Sequence, residues 1–176
     1  MGILFIIGYM ASGKTTFGSA LAAKTGRRFI DLDEEIEKAS GQSISDLINN
    51  EGLDNFREME RKTLQKFATE KDAIISCGGG TPCYFDNMEL MNRLGTTLLL
   101  EASPSRIAER VLAAGPTRPL LAELKPEELK SRIESHLQER SPWYEKALLR
   151  FDSEHLENEK EISESVERFL ALHPEF

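Results

Sequence analysis

The chain has 176 residues, 40% hydrophobic and 30% charged, and its 30 Asp/Glu against 22 Lys/Arg leave a formal net charge of −8. That length suits one well-buried core rather than two, and the acidic balance argues against nucleic acid as a main partner, because no broad basic face exists to release counterions. No apolar run approaches the ~18 residues of a membrane span, and Ile3 to Ile7, the first apolar stretch, is too short for a signal peptide and lacks a basic leader; a cytoplasmic protein without a membrane partner is expected.

Strand and helix alternate along the chain. Ile3–Ile7 reads as a strand buried on both faces, followed by a helix from about Lys14 to Thr25 with Phe17, Ala20 and Leu21 on one stripe. Further strands are expected at Arg28–Asp31, Ala73–Ser76, Thr97–Leu100 and near Leu148–Phe151. Helices are expected at about Glu34–Ala39, Ser45–Asn50, Leu53–Thr69, Phe85–Arg93, Pro104–Leu112, from Pro126 onward, and at Ile162–Leu172. Such alternation implies an α/β fold with a parallel sheet covered on both faces. Ala113–Ala122 holds two prolines and a glycine without apolar periodicity and reads as a mobile loop. Cys77 and Cys83 are expected to be ordinary packed thiols.

Gly8-Tyr9-Met10-Ala11-Ser12-Gly13-Lys14-Thr15 matches G-x-x-x-x-G-K-[ST] between a buried strand and a helix, the context this phosphate cradle requires. Backbone N–H groups would close on phosphate oxygens, Lys14 would reach the β- and γ-phosphates, and the Thr15 hydroxyl would bind Mg²⁺. The Asn-Lys-x-Asp base-reading motif of a GTPase is not present, and Leu98-Leu99-Leu100-Glu101, with a lone Glu, is the nearest thing to the Asp-Glu pair of a motor ATPase in a chain short for that class, which leaves a small-molecule kinase. Asp31-Leu32-Asp33 is read as the end of the second strand, so that both carboxylates, two residues apart, share a face of the cleft. One would hold Mg²⁺ through water and the other accept a proton; the alternative is that Asp33 only caps the next helix. Arg57 is three residues from Glu60 on a helix, by itself most simply a surface ion pair. Gly78-Gly79-Gly80 follows a strand and allows close approach of backbone to a ligand.

In this order and spacing, the cradle Gly8–Thr16, Asp31-Leu32-Asp33, Ser43-Ile44 with Phe56-Arg57, Gly78-Gly79-Gly80, Arg118-Pro119-Leu120-Leu121 and Glu139-Arg140-Ser141-Pro142-Trp143-Tyr144 closely resemble the shikimate kinase family of P-loop proteins. The resemblance implies a three-layer P-loop kinase fold with a central, mostly parallel five-stranded sheet, in one domain over 1–176 with a substrate-binding segment at about 32–61 and a mobile lid at about 112–124. It implies transfer of the γ-phosphoryl of ATP to the 3-hydroxyl of shikimate, on the route to chorismate and aromatic amino acids, by a monomer that requires Mg²⁺. Asp33, Arg57, Gly79 and Arg140 would bind shikimate, and Ala11, Ser12, Gly13, Lys14, Thr15, Thr16 and Arg118 would bind the nucleotide. Asp33, Lys14 and Arg118 would be catalytic, and Thr15 and Asp31 would hold the metal. The family commonly has glycine at position 11, where this chain has alanine. A gluconate-kinase-like enzyme on the same scaffold and a nucleotide-binding module without catalysis are the alternatives.

Overall fold

The computed structural model describes residues 2–114 and 126–176, for Pro126 the backbone alone. Five strands form one sheet: β1 (Ile3–Ile7), β2 (Arg28–Asp31), β3 (Ala73–Ser76), β4 (Gly95–Glu101) and β5 (Leu149–Asp152), in the order β2-β3-β1-β4-β5. Every pairing is parallel, so the sheet is more uniform than the mostly parallel one expected. Between the strands run α1 (Lys14–Thr25), α2 (Leu32–Ser40), α3 (Ile44–Glu51), α4 (Leu53–Lys66), α5 (Asn87–Leu94), α6 (Pro104–Ala113) and α7 (Pro126–Tyr144), and α8 (Glu159–Leu172) follows β5. The parallel ladder with helical crossovers on both faces makes this a three-layer α/β fold.

β1 is central because all five of its residues are apolar and buried. Its alternate side chains face two cores. Ile3, Phe5 and Ile7 join Leu32, Leu47, Phe56 and Met88 from α2 to α5, whereas Leu4 and Ile6 join Phe17, Leu21, Val166 and Phe169 from α1 and α8. Tyr9 seeds a third, smaller core with Ile107 and Val111 of α6 and Leu129 and Ile133 of α7.

The register gathers the polar strand ends at one edge of the sheet. Asp31 lies opposite Ser76, and Ser76 opposite Ile6, so β2 and β3 terminate beside the turn that leaves β1. In an open parallel sheet this carboxyl edge is where ligands bind. The lid expected at about 112–124 falls almost wholly in 115–125, and Arg118 with it lies outside the described residues.

Candidate active site

The turn after β1 carries the phosphate cradle. Gly13 opens α1 with φ 93°, a left-handed conformation that suits glycine, and a Cβ there would stand 2.5 Å from Leu156 Cδ1. Ala11 adopts the same region with φ 59° although it carries a Cβ. Lys14 is buried, and its Nζ donates to the Tyr9 carbonyl at 2.9 Å, curling the ammonium over its own loop. The other side of the loop is braced by Arg110 of α6, which donates to the Ala11 carbonyl at 3.3 Å and the Ser153 carbonyl at 2.8 Å and pairs with Glu157 at 2.7 Å.

The two aspartates do reach one cleft, but not by strand geometry. β2 ends at Asp31, and Asp33 already sits in the first turn of α2. Asp31, not Asp33, is the cap: its Oδ1 accepts from the Asp33 backbone N–H at 3.1 Å. Its Oδ2 accepts from Thr15 Oγ1 at 2.9 Å, and Thr15 Oγ1 is 3.3 Å from Ser76 Oγ. Asp33 is left pointing elsewhere, with Oδ1 buried and without a hydrogen-bond partner among the described residues. Burial pushes its carboxyl up to about 6, with repulsion from Asp31 and Glu60 adding to the rise and Lys14 opposing it. Lys14, Thr15, Asp31, Asp33, Ser76 and Gly79 share a cleft of about 250 Å³.

The Gly78-Gly79-Gly80 turn measures how tightly the site is assembled. A Cβ at Gly78 would lie 3.1 Å from Glu60 Oε1 and 3.2 Å from Asp33 Oδ1. At Gly79 it would lie 3.1 Å from the Met10 nitrogen and 3.4 Å from Arg140 Nη1, and at Gly80 2.7 Å from Arg57 Nη2. Acid, both arginines and the cradle thus press on three consecutive residues, and each has room only because no side chain is there.

Arg57 and Glu60 are paired, but the pair is not on the surface: the Glu60 side chain is 0% exposed and that of Arg57 14%. Glu60 takes Arg57 Nη1 on one oxygen and the Thr81 hydroxyl on the other. Thr81 is fixed in turn, its carbonyl accepting from Asn87 Nδ2 at 2.9 Å. With both oxygens occupied, Glu60 turns a flexible side chain into a fixed donor fork, leaving Arg57 Nε buried without a partner among the described residues.

Arg140, in the last turns of α7, donates to the Gly79 carbonyl at 3.2 Å, and Tyr144 donates to the same oxygen at 2.6 Å. Burial pushes the Tyr144 hydroxyl up to about 12, so it remains a donor at neutral pH. The Arg140 guanidinium lies over the Tyr9 ring at 5.0 Å, and Tyr9 is anchored by a 2.8 Å hydrogen bond between its hydroxyl and His136 Nδ1. Ser76, Thr81 and Tyr9 escape a sequence reading. Only Ser76 leaves a local signal, as the polar residue closing an otherwise apolar strand. Cys77 and Cys83 are free thiols, and burial pushes both above the usual thiol range.

A complete phosphate cradle at the carboxyl edge of a parallel sheet, facing a buried acid and two oriented arginines, defines a P-loop kinase for a small anionic acceptor. The family model described as shikimate kinase matches residues 10–171. The shikimate kinase of Phocaeicola vulgatus is 44% identical over 93% of this chain and 94% of its own length. The crystal structure of the shikimate kinase from Bacteroides thetaiotaomicron superposes with a TM-score of 0.92 at 39% identity, covering 97% of both chains. That of the Acinetobacter baumannii enzyme in complex with shikimate gives 0.84 at 27% identity, over 99% of this chain and 94% of that one. The chain belongs to the shikimate kinase family. These likenesses favour that reading over a gluconate-kinase-like enzyme or a module without catalysis.

Proposed function

We propose that this protein transfers the γ-phosphoryl group of ATP to the 3-hydroxyl of shikimate, giving shikimate 3-phosphate and ADP. The observation that carries the reading is the convergence of Asp33, Arg57 and Arg140 with the cradle on Gly78-Gly79-Gly80. Shikimate offers one carboxylate and several hydroxyls. Arg57 and Arg140 supply in-plane donors for the carboxylate, Gly79 backs the substrate with bare backbone, and Asp33 accepts the proton of the hydroxyl that attacks phosphorus. A carboxyl raised to about 6 is still mostly ionised at neutral pH while being a better base than an exposed aspartate.

Lys14, Gly13, Ser12, Ala11 and Thr16 bind the nucleotide in this reading, and Arg118, known only from its sequence motif, meets the phosphates from the lid segment 112–124. The hydroxyl of Thr15, the Asp31 carboxylate and the Ser76 hydroxyl form a cluster of hard oxygen donors, the sparse kind of set that suits Mg²⁺ shared with phosphate oxygens and water. Bound there, Mg²⁺ supplies charge neutralisation on the phosphates. Residues 32–61 serve as the substrate-binding segment. In this reading the protein acts as a monomer. No helix among the described residues is long and apolar enough to cross a membrane, in keeping with a cytoplasmic enzyme. A coupled assay of ADP release with ATP, Mg²⁺ and shikimate tests the reading: turnover dependent on shikimate is expected, and gluconate in its place should give none. Absence of shikimate-dependent turnover would overturn it.

A further inference from the structure

Arg57 is held by three neighbours, and one of the three has no role yet in the reaction. Glu60 takes Nη1, and the Gly80 backbone lies against Nη2. The Arg57 guanidinium also sits over the Tyr84 ring, Cζ 4.2 Å from the ring centroid. Phe56 is also near, at 4.9 Å, but it is the chain neighbour of Arg57 and moves with it.

Tyr84 arrives independently. It follows the 3₁₀ turn Thr81–Cys83 in an extended conformation, φ −118° and ψ 146°. The turn is closed by Cys83 N–H donating to the Gly80 carbonyl at 2.9 Å, and the Tyr84 carbonyl accepts from Asn87 N–H at 3.2 Å. At 37% exposure the ring is not placed by core burial. What it covers is the arginine.

A guanidinium donates hydrogen bonds only in its plane, whereas its face attracts the π-face of a ring. Covering the face therefore fixes the direction of the remaining donors and discourages the side chain from swinging into solvent. We infer that Tyr84 is a positioning residue for the substrate carboxylate, acting through Arg57: it orients the free in-plane donors of the guanidinium toward the cleft and so sharpens recognition of a planar anion. The inference rests on Arg57 binding the shikimate carboxylate, as proposed above.

Tyr84→Leu and Tyr84→Gln remove the aromatic face, whereas Tyr84→Phe keeps it. Steady-state kinetics with ATP, Mg²⁺ and shikimate should show the shikimate KM rising about 3- to 10-fold in Tyr84→Leu and Tyr84→Gln, with kcat and the ATP KM unchanged and with Tyr84→Phe at wild-type values. In an Arg57→Leu background the same two substitutions should add no further increase. An unchanged shikimate KM in both variants, an equal loss in Tyr84→Phe, or an undiminished effect without Arg57 would overturn the inference. Wild-type enzyme that ignores shikimate would overturn the proposed function and this inference together, whereas normal wild-type turnover with indifferent Tyr84 variants would overturn the inference alone.

Discussion

Asp33→Asn should do two opposite things at once. Asparagine has the shape of aspartate but cannot take the hydroxyl proton, so kcat should fall by roughly 10²-fold or more while ATP affinity, governed by the cradle, stays put. Stability should move the other way. In the folded chain the carboxyl is raised from 3.8 to about 6, chiefly by burial. The folded state therefore holds the proton more tightly than the unfolded one, and the corresponding stabilisation is full below about pH 4 and lost as pH rises through about 6. At 1.36 kcal/mol per tenfold the difference corresponds to about 3 kcal/mol at pH 7.5, and solvent at the cleft mouth reduces that to roughly 2 kcal/mol. The substituted amide never carries the charge, so the variant should melt roughly 4–8 °C above wild type at pH 7.5, with the gap narrowing steadily toward pH 5. Scanning calorimetry across that range, with kinetics on the same preparations, checks both halves. Near-normal turnover would remove Asp33 from the proton transfer. A melting difference absent at pH 7.5, or one that does not shrink on acidification, would refute the account of a carboxylate held against its burial. In wild type, kcat/KM for shikimate should fall on the acid side with an apparent pKa near 6.

Arg57→Leu or Arg140→Leu should weaken shikimate by about 2–5 kcal/mol, the scale for cutting one side of a buried charge pair, with nucleotide affinity hardly changed by calorimetry; equal losses for both ligands would make the arginines structural. Gly80→Ala should fold, because its φ of −94° is open to any residue, yet its Cβ would stand 2.7 Å from Arg57 Nη2. The movable arginine then yields, and the shikimate KM should rise roughly tenfold, 1.4 kcal/mol, without a matching change for ATP. Ala11→Gly should remove the strain of φ 59°, about 1 kcal/mol, against a smaller entropic cost in the unfolded chain. A net rise of roughly 1–2 °C in Tm is expected by calorimetry, and a fall would show that the left-handed alanine is unstrained.

Much of this architecture is legible in the chain because its signals are local. Buried apolar runs mark the strands, and the cradle is contiguous in sequence, so both read directly. Asp31 and Asp33 show where the reading stops: two carboxylates two residues apart look alike whether the strand continues or a helix begins between them. Here the strand ends at Asp31, two residues before Asp33, where the capping bond from Asp33 N–H to Asp31 opens the helix and sends the side chains to different tasks. For Arg57 and Glu60, spacing on a helix is the same for a solvated pair and a sequestered one; burial is decided by Thr81 and the glycine turn, distant in sequence. The hold of Tyr9 on Arg140 spans most of the chain and leaves no local trace.

The two arginines of the cleft differ in one respect that bears on what the pocket selects. Arg57 is already neutralised by Glu60, so it brings direction without net charge. Arg140 has a carbonyl and a ring for company and no carboxylate partner among the described residues. In a protein of net charge −8, Arg140 is the one of these two guanidiniums that keeps its charge unpaired by a carboxylate among the described residues, and in the proposed reading it attracts the acceptor's acid group. Shape is thus read by one guanidinium and valence by the other. A neutral amide analogue of the acceptor would retain much of its fit at Arg57 while forfeiting its attraction to Arg140.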